Sequence, residues 1–279
     1  MSNVLRLPDF IVVGAMKAGT TRLHHVLAAH PDIGVPAMKE TDFFVPELNR
    51  GRTLAWYGAQ FPSAPVVGEV SPAYAKARLY PGTAARILRY VPRVKVIYLT
   101  RDPVARALSE YRHKRAAGYL PEPEVRDPEV FARLVDASLY HRQISQYLEV
   151  MPRERVLVIE AEQLEAGITR SRLARFLGVA DCWPTPRGHG NAGENVAQLP
   201  GWYWRARELS AARDLRGALP EPIKDLLRGG ARKLGRVAPG PIPADLVPRI
   251  RDAIAGDQER FRAMDLSEPV VPPALSVNA

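Results

Sequence analysis

Short runs of apolar residues alternate along this chain with longer stretches in which apolar positions recur every three or four residues. Phe10 to Val13 reads as a buried strand. From about Thr20 the apolar residues Leu23, Val26 and Leu27 fall on one face at helical spacing, and the segment ends near His30-Pro31. Val66 to Glu69 predicts a short strand, Gly82 to Tyr90 a helix with Ile87 and Leu88 facing inward, and Val94 to Leu99 a β-branched central strand. Helices are expected over Pro103 to about Ala117, Pro128 to Leu134, Tyr140 to Met151 and Ser171 to Leu177, with a further strand over Arg155 to Ile159. Strands that alternate with helices in this way predict an α/β fold of three layers, a central parallel sheet flanked by helices.

Elsewhere the pattern is weaker. Gly118 to Pro128 is too rich in proline for a regular element and is expected to be an exposed loop, and Val45 to Ala55 is read as a loop without a motif. Past Pro184, Trp202 to Leu219 and Ala244 to Met264 read as amphipathic helices, separated by the Gly229-Gly230 and Pro239-Gly240-Pro241 breakers. We expect one domain over residues 1–268, with a helical part at 200–266 and a flexible tail from Pro269 onward.

Candidate chemistry enters at the end of the first strand. Gly14-Ala15-Met16-Lys17-Ala18-Gly19-Thr20-Thr21 is a glycine-flanked loop that holds one lysine and opens a helix. Backbone N–H groups, the positive end of the helix and a lysine ammonium can converge there on one anion, with the hydroxyls of Thr20 and Thr21 as further donors. In the nucleoside-triphosphate loop the lysine follows the second glycine, whereas here Gly19 is followed by Thr20 and the lysine sits earlier, at Lys17. The loop is P-loop-like with a different nucleotide as its expected ligand.

A second cluster lies at the end of the central strand, where Thr100-Arg101-Asp102-Pro103 turns into a helix. Asp102 suits its N-cap and Pro103 its first turn. Ser109 follows about two turns on, on nearly the same face. A guanidinium fork from Arg101 and a hydroxyl from Ser109 are a suitable pair for one terminal phosphate.

Together these stretches resemble the two nucleotide-binding motifs of the sulfotransferases that use 3′-phosphoadenosine-5′-phosphosulfate, PAPS. The loop at Lys17 is similar to that family's 5′-phosphosulfate loop, and Arg101 with Ser109 to its 3′-phosphate site. Met38-Lys39-Glu40-Thr41-Asp42-Phe43-Phe44 resembles the K-E-x-x-F-F segment of the branch that holds heparan sulfate and other carbohydrate sulfotransferases. Gly68 to Tyr74, Ser138-Leu139-Tyr140, Val156 to Ile159 and Phe176 to Val179 extend the likeness over roughly residues 8 to 180.

The resemblance implies a transferase that moves a sulfuryl group from PAPS to a hydroxyl, or less readily an amine, of a sugar-containing or other small-molecule acceptor, with 3′-phosphoadenosine-5′-phosphate (PAP) as product. It implies donor contacts from Lys17, Ala18, Gly19, Thr20, Thr21, Arg22, Arg101, Ser109 and Tyr140. Lys17 is then expected to meet the charge that grows on the leaving oxygen, the alternative being a passive phosphate anchor. Glu40 is the expected general base. Flanked by Phe43 and Phe44 it would be partly desolvated, which raises its proton affinity, while an inward-turned Lys39 would oppose that shift. Glu69 at a strand end is the alternative base. Related carbohydrate sulfotransferases often carry a lysine after that glutamate, whereas Val70 stands here, so the resemblance implies the loss of either an acceptor contact or a second cation at the sulfonate.

Arg22 is as readily a solvated helix residue, and Tyr140 as readily a core tyrosine. The late stretch Arg187 to Gly193 is glycine-rich and basic, as a flap over a phosphate would be, with His189, Gly190 and Asn191 at its centre. Of the six histidines, His24, His25, His30, His113 and His141 occupy helix positions that suit structural roles, and His189 is the one to test.

Composition adds bounds. A hydrophobic fraction of 46% and a charged fraction of 25% belong to a globular chain, and 279 residues suffice for a sizeable core. Thirty-nine Lys and Arg against thirty Asp and Glu leave a formal charge of +9, which a polyanionic donor or an acidic acceptor accounts for without nucleic acid. One cysteine, Cys182, excludes an intramolecular disulfide framework and any multi-cysteine metal site. No signal peptide or membrane span is read, so the chain is expected to be soluble, cytoplasmic and bacterial. Two other classes remain open: a P-loop-type nucleoside-triphosphate kinase or NTPase, and a non-catalytic nucleotide- or nucleic-acid-binding protein.

Overall fold

The computed structural model describes residues 5–116, 119–120, 125–184 and 241–266. The expected flap at His189, Gly190 and Asn191, the helix at 202–219 and the tail lie outside the described residues. The described chain forms two compact units. The first takes residues up to Asp102, then Leu139 to 184 and Gly256 onward, and the second takes Pro103–Ser138 and 241 to Ala255.

The first unit is built on a five-stranded parallel sheet in the order β2-β3-β1-β4-β5. Its strands are β1 (Phe10–Gly14), β2 (Ile33–Gly34), β3 (Val66–Val70), β4 (Lys95–Thr100) and β5 (Val156–Glu160). All five residues of β1 are buried, as expected of a parallel strand covered on both faces, which is why it reads as an unbroken apolar run. β1 pairs Phe10 with Gly68 on one side and with Lys95 on the other. A Cβ at Gly68 would stand 2.4 Å from the Phe10 ring, so glycine is what lets these two strands pair with that ring between them.

Helix α1 (Thr20–Ala28) buries Leu23, Val26 and Leu27, the stripe that the spacing predicts. α2 (Pro46–Asn49), α3 (Leu54–Gly58), α4 (Thr83–Tyr90), α7 (Tyr140–Leu148) and α8 (Gly167–Leu177) complete the helices of this unit, with the last part of α9 (Leu246–Ala263). α2 and α3 replace most of the loop expected from Val45 to Ala55. Pro46 starts α2 at a position that needs no N–H, and Thr53 caps α3 by accepting from the Trp56 N–H at 3.1 Å. α4 buries Ile87 fully and Leu88 only partly.

In the second unit α5 (Pro103–Ala116) and α6 (Pro128–Asp136) are joined through Arg106, which is wholly buried. Its guanidinium donates to Glu110 at 2.6 Å, to Ser138 at 2.5 Å and to the Leu134 carbonyl at 2.7 Å, and Lys114 pairs with the same Glu110 at 2.8 Å. A buried guanidinium tolerates its low-dielectric setting only when its donors are satisfied in this way. Asp127 caps α6, accepting from the N–H groups of Glu129 at 2.8 Å and Val130 at 3.0 Å.

The parallel sheet fixes where chemistry belongs. The chain leaves β1 for β2 and β3 on one side and later for β4 and β5 on the other, so a crevice opens beyond the carboxyl end of β1. The loops after β1, β3, β4 and β5 all emerge on that edge.

Candidate active site

The loop from Gly14 to Gly19 turns sharply out of β1. The Ala15 N–H donates to the Leu99 carbonyl at 2.8 Å and the Ala18 N–H to the Ala15 carbonyl at 3.1 Å, which bends the loop back over the end of β4. Lys17 (φ 65°) and Gly19 (φ 89°) have left-handed backbones on either side of the buried Ala18. Left-handed residues at such a turn belong to the backbone concavities that bind anions. α1 then opens with no side-chain cap at Gly19 and no acidic residue in its first turn, so its positive end carries no competing carboxylate of its own. Thr20 is buried and Thr21 exposed. The residues fit an anionic donor group.

Arg101 closes the cradle from β4. Its Nη1 donates to the Lys17 carbonyl at 3.3 Å, which ties the two cationic elements together. Tyr140, fully buried at the start of α7, holds the arginine's backbone from beneath. Its hydroxyl donates to the Arg101 carbonyl at 2.9 Å and accepts from the Arg101 N–H at 3.4 Å. Arg22 lies on the outer face of α1 and is held by Glu165, with Nε donating at 2.8 Å. Ser109 lies half-buried on α5 in the second unit.

The strap from Lys39 to Val45 runs past the end of β3, where the Glu40 N–H donates to the Val70 carbonyl at 3.1 Å. Glu40 has a left-handed backbone (φ 64°), and its carboxylate forms an ion pair with Lys39. The lysine therefore turns toward the carboxylate rather than away from it. Phe43 and Phe44 turn away into the core. Phe43 stacks on Tyr57 with ring centroids 4.5 Å apart, and Phe44 meets Tyr74 edge-on at 5.7 Å. Each such pair contributes about 0.5–1.5 kcal/mol beyond burial.

Glu69 differs sharply from Glu40. It is buried, and each carboxylate oxygen takes two hydroxyl donors. Tyr57 donates at 2.7 Å and Tyr74 at 2.9 Å to Oε1; Ser71 at 2.9 Å and Thr41 donate to Oε2. Burial pushes its carboxyl above the ordinary range, while the four hydroxyl donors pull it back. The same burial, with Glu69 beside them, raises the Tyr57 and Tyr74 hydroxyls well above theirs. Glu69 anchors the strap to β3 and its capacity as an acceptor is filled. Val70 beside it is buried.

Residues 7–182 match the profile of the family described as "Sulfotransferase domain". The chain belongs to this sulfotransferase family. The family's donor is PAPS, and the triphosphate kinase reading is not favoured. The Membrane-associated sulfotransferase kil1 of Dictyostelium discoideum is 38% identical to the chain over 115 residues, covering 39% of the chain and 23% of that protein. Human Heparan sulfate glucosamine 3-O-sulfotransferase 5 is 30% identical over 176 residues, covering 58% of the chain and 50% of that protein. The chain thus spans half or less of the length of these relatives. Among solved structures, a sulfotransferase from Alicyclobacillus acidocaldarius superposes with a TM-score of 0.57 at 28% identity, covering 74% of the chain and 99% of that structure.

Two parts of the site were missed in the sequence. The hydroxyl cage of Glu69 draws on Thr41, Ser71 and Tyr74, whose segments were noted for their likeness and not for this cage, and on Tyr57, which carries no motif. The turn after β5 brings Glu162 and Glu165 to Arg101 and Arg22; its only signal is its place at the carboxyl end of a parallel strand. No helix among the described residues is long and apolar enough to cross a membrane.

Proposed function

We propose that this sulfotransferase transfers a sulfuryl group from PAPS to a hydroxyl of a sugar-containing or other small-molecule acceptor. The observation that carries this reading is the bond from Arg101 to the Lys17 carbonyl, which makes one anion cradle of the β1 loop and the β4 end. When bound, PAPS supplies an activated sulfuryl group, whose sulfur gains the acceptor oxygen as its bond to the 5′-phosphate oxygen breaks.

The chain's own residues divide the remaining work. Gly19, Thr20 and Thr21 hold the 5′ end through backbone and hydroxyl donors at the start of α1, with Ala18 packed beneath them. Lys17 neutralises the charge that develops on the leaving oxygen, the kind of preorganised stabilisation that supplies most of the rate in transfers of this type. Arg101 holds the 3′-phosphate, with Ser109 as its partner in the motif and Tyr140 as the residue that positions its backbone. Glu40 receives the acceptor's proton, and Lys39 holds that carboxylate in place. The 3-O-sulfotransferase relative makes a sugar hydroxyl the first acceptor class to try. The single cysteine fits a reducing compartment, and a cytoplasmic location is part of the proposal.

The test is transfer of radiolabelled sulfuryl from PAPS to a panel of oligosaccharides and hydroxylated small molecules. Lys17→Ala should lower turnover by about a hundredfold to a thousandfold with a much smaller loss of PAP affinity. Glu40→Gln should lower it by about a hundredfold. Equal losses of turnover and affinity in Lys17→Ala would reduce the lysine to an anchor, and an active Glu40→Gln would remove the base.

A further inference from the structure

β5 delivers a short turn, Ala161–Gln163, to the carboxyl edge of the sheet beside β4. Leu164 is fully buried and anchors the turn, while Glu162 and Glu165 on either side of it keep side chains 58% and 52% exposed. Three contacts place this turn against the donor cradle. The Ala161 methyl lies 3.5 Å from where a Cβ on Gly19 would stand. Glu165 accepts from Arg22 Nε at 2.8 Å and pairs with its Nη2 at 2.6 Å, and its other oxygen is held by Arg170. Glu162 Oε1 stands 4.0 Å from Arg101 Nε, beyond hydrogen-bond reach, and that N–H is buried with no acceptor among the described residues.

Both arginines assigned to the donor thus face a carboxylate from one turn. Such a carboxylate attracts the guanidinium, and it also repels a phosphate that arrives to claim it. We propose that Glu162 is a resident counter-charge that weakens the site's grip on the 3′-phosphate, Arg101 leaving it as the nucleotide binds and returning to it as the product departs. This inference rests on the sulfotransferase reading of the cradle.

The chemistry follows from a difference of affinities. A ligand with a 3′-phosphate gains only what Arg101 gives it beyond what Arg101 gave Glu162, and it also bears the repulsion. A nucleotide without that phosphate leaves the pair undisturbed. Glu162 should therefore act selectively on 3′-phosphorylated ligands, and its benefit is faster loss of PAP, a step that limits turnover in many enzymes. Glu165 holds an arginine not assigned to the 3′-phosphate, so its effect should not discriminate between the two ligand classes.

The experiment is calorimetric titration of the wild type, Glu162→Gln, Glu165→Gln and Arg101→Ala with PAP and with adenosine 5′-monophosphate, with PAP dissociation followed by stopped flow. Both glutamates are surface groups, and melting curves matching the wild type confirm that the variants are folded. We expect Glu162→Gln to bind PAP about threefold to tenfold more tightly, with correspondingly slower dissociation, while its affinity for the monophosphate changes by less than about twofold. The gain should shrink at high salt. If PAP binding by Glu162→Gln is unchanged or weaker while Arg101→Ala still loses it, the counter-charge is refuted and the donor site stands. If the wild type fails to bind PAP, or Arg101→Ala binds it as well as the wild type, the donor reading and this inference fall together.

Discussion

The donor cradle and the strap from Lys39 to Val45 both run along the carboxyl ends of parallel strands, yet they are held in opposite ways. The cradle is shaped by backbone: left-handed Lys17 and Gly19, a bend over Leu99, and a helix that opens without a side-chain cap. Its two arginines face exposed carboxylates, Arg22 paired with Glu165 and the partly buried Arg101 at 4.0 Å from Glu162. The strap has left-handed residues as well, Glu40 and Asp42, but it is fastened by side chains, through a buried carboxylate with four hydroxyl donors and two aromatic rings driven into the core. Its carbonyls are secured as well: Arg52 donates to that of Thr41 at 3.2 Å, Asn49 to that of Phe43 at 2.7 Å and Arg86 to that of Phe44 at 2.9 Å. On the proposed assignment the difference is a division of labour: a site for a large anion keeps its donors available at the edge, whereas a carboxylate proposed to meet an acceptor atom sits on a mount built from buried, satisfied groups.

The sharpest way to break this comparison is at Glu69. Glu69→Ala leaves four buried hydroxyls without their acceptor and opens a cavity, so it should cost more than about 4 kcal/mol of stability, read by chemical denaturation. A loss below about 1 kcal/mol would show that the strap is held by other means.

A smaller effect is expected at the cradle. Gly19→Ala places a side chain on a left-handed backbone at a cost of about 1 kcal/mol, with its methyl in ordinary contact with Ala161. Its melting temperature should fall by only a few degrees, while PAP affinity falls more than stability does. Unchanged PAP binding would show that the cradle's shape is not set by this residue.

The smallest effect lies where the strap meets α1. His24 is pushed down from 6.5 to about 4, chiefly by burial and then by Lys39 and His25; Glu40 and the Pro36 carbonyl oppose the shift. Its neutral form is the one that folding favours. The stability it contributes is therefore complete above its unfolded value of 6.5 and is lost as pH falls toward 4. Replacing His24 by Gln should flatten the melting temperature against pH across that window. Parallel profiles for the two proteins would remove His24 from the acid response.

Much of the fold was legible because parallel strands buried on both faces read as continuous apolar runs. β1, β3, β4 and β5 each appear within a residue or so of the expected bounds, α1 and α4 follow their periodic stripes, and α5 starts at Pro103 as expected. α2 and α3, of four and five residues, are too short for a 3.6-residue period to show, and β2 has only two residues. The sharp turn after β1 and the strand-to-helix turn at Arg101 were legible because glycine, proline and the helix starts lie close together in sequence. The cage around Glu69 was not, since its donors gather only when β3, α3 and the strap fold together; Thr41 and Tyr74 meet across 33 positions of chain. The aromatic pair was legible as apolar but not in direction: Phe43 and Phe44 serve the core and leave Glu40 at 40% exposure beside Lys39.

The most direct test of the central claim is calorimetric titration with PAP, beside ATP with magnesium, on the wild type and on Arg101→Ala. The account predicts that the wild type binds the 3′-phosphorylated nucleotide in preference to ATP and that the substitution weakens this binding by roughly tenfold to a hundredfold. A preference for ATP, or a variant that binds PAP as the wild type does, would contradict it.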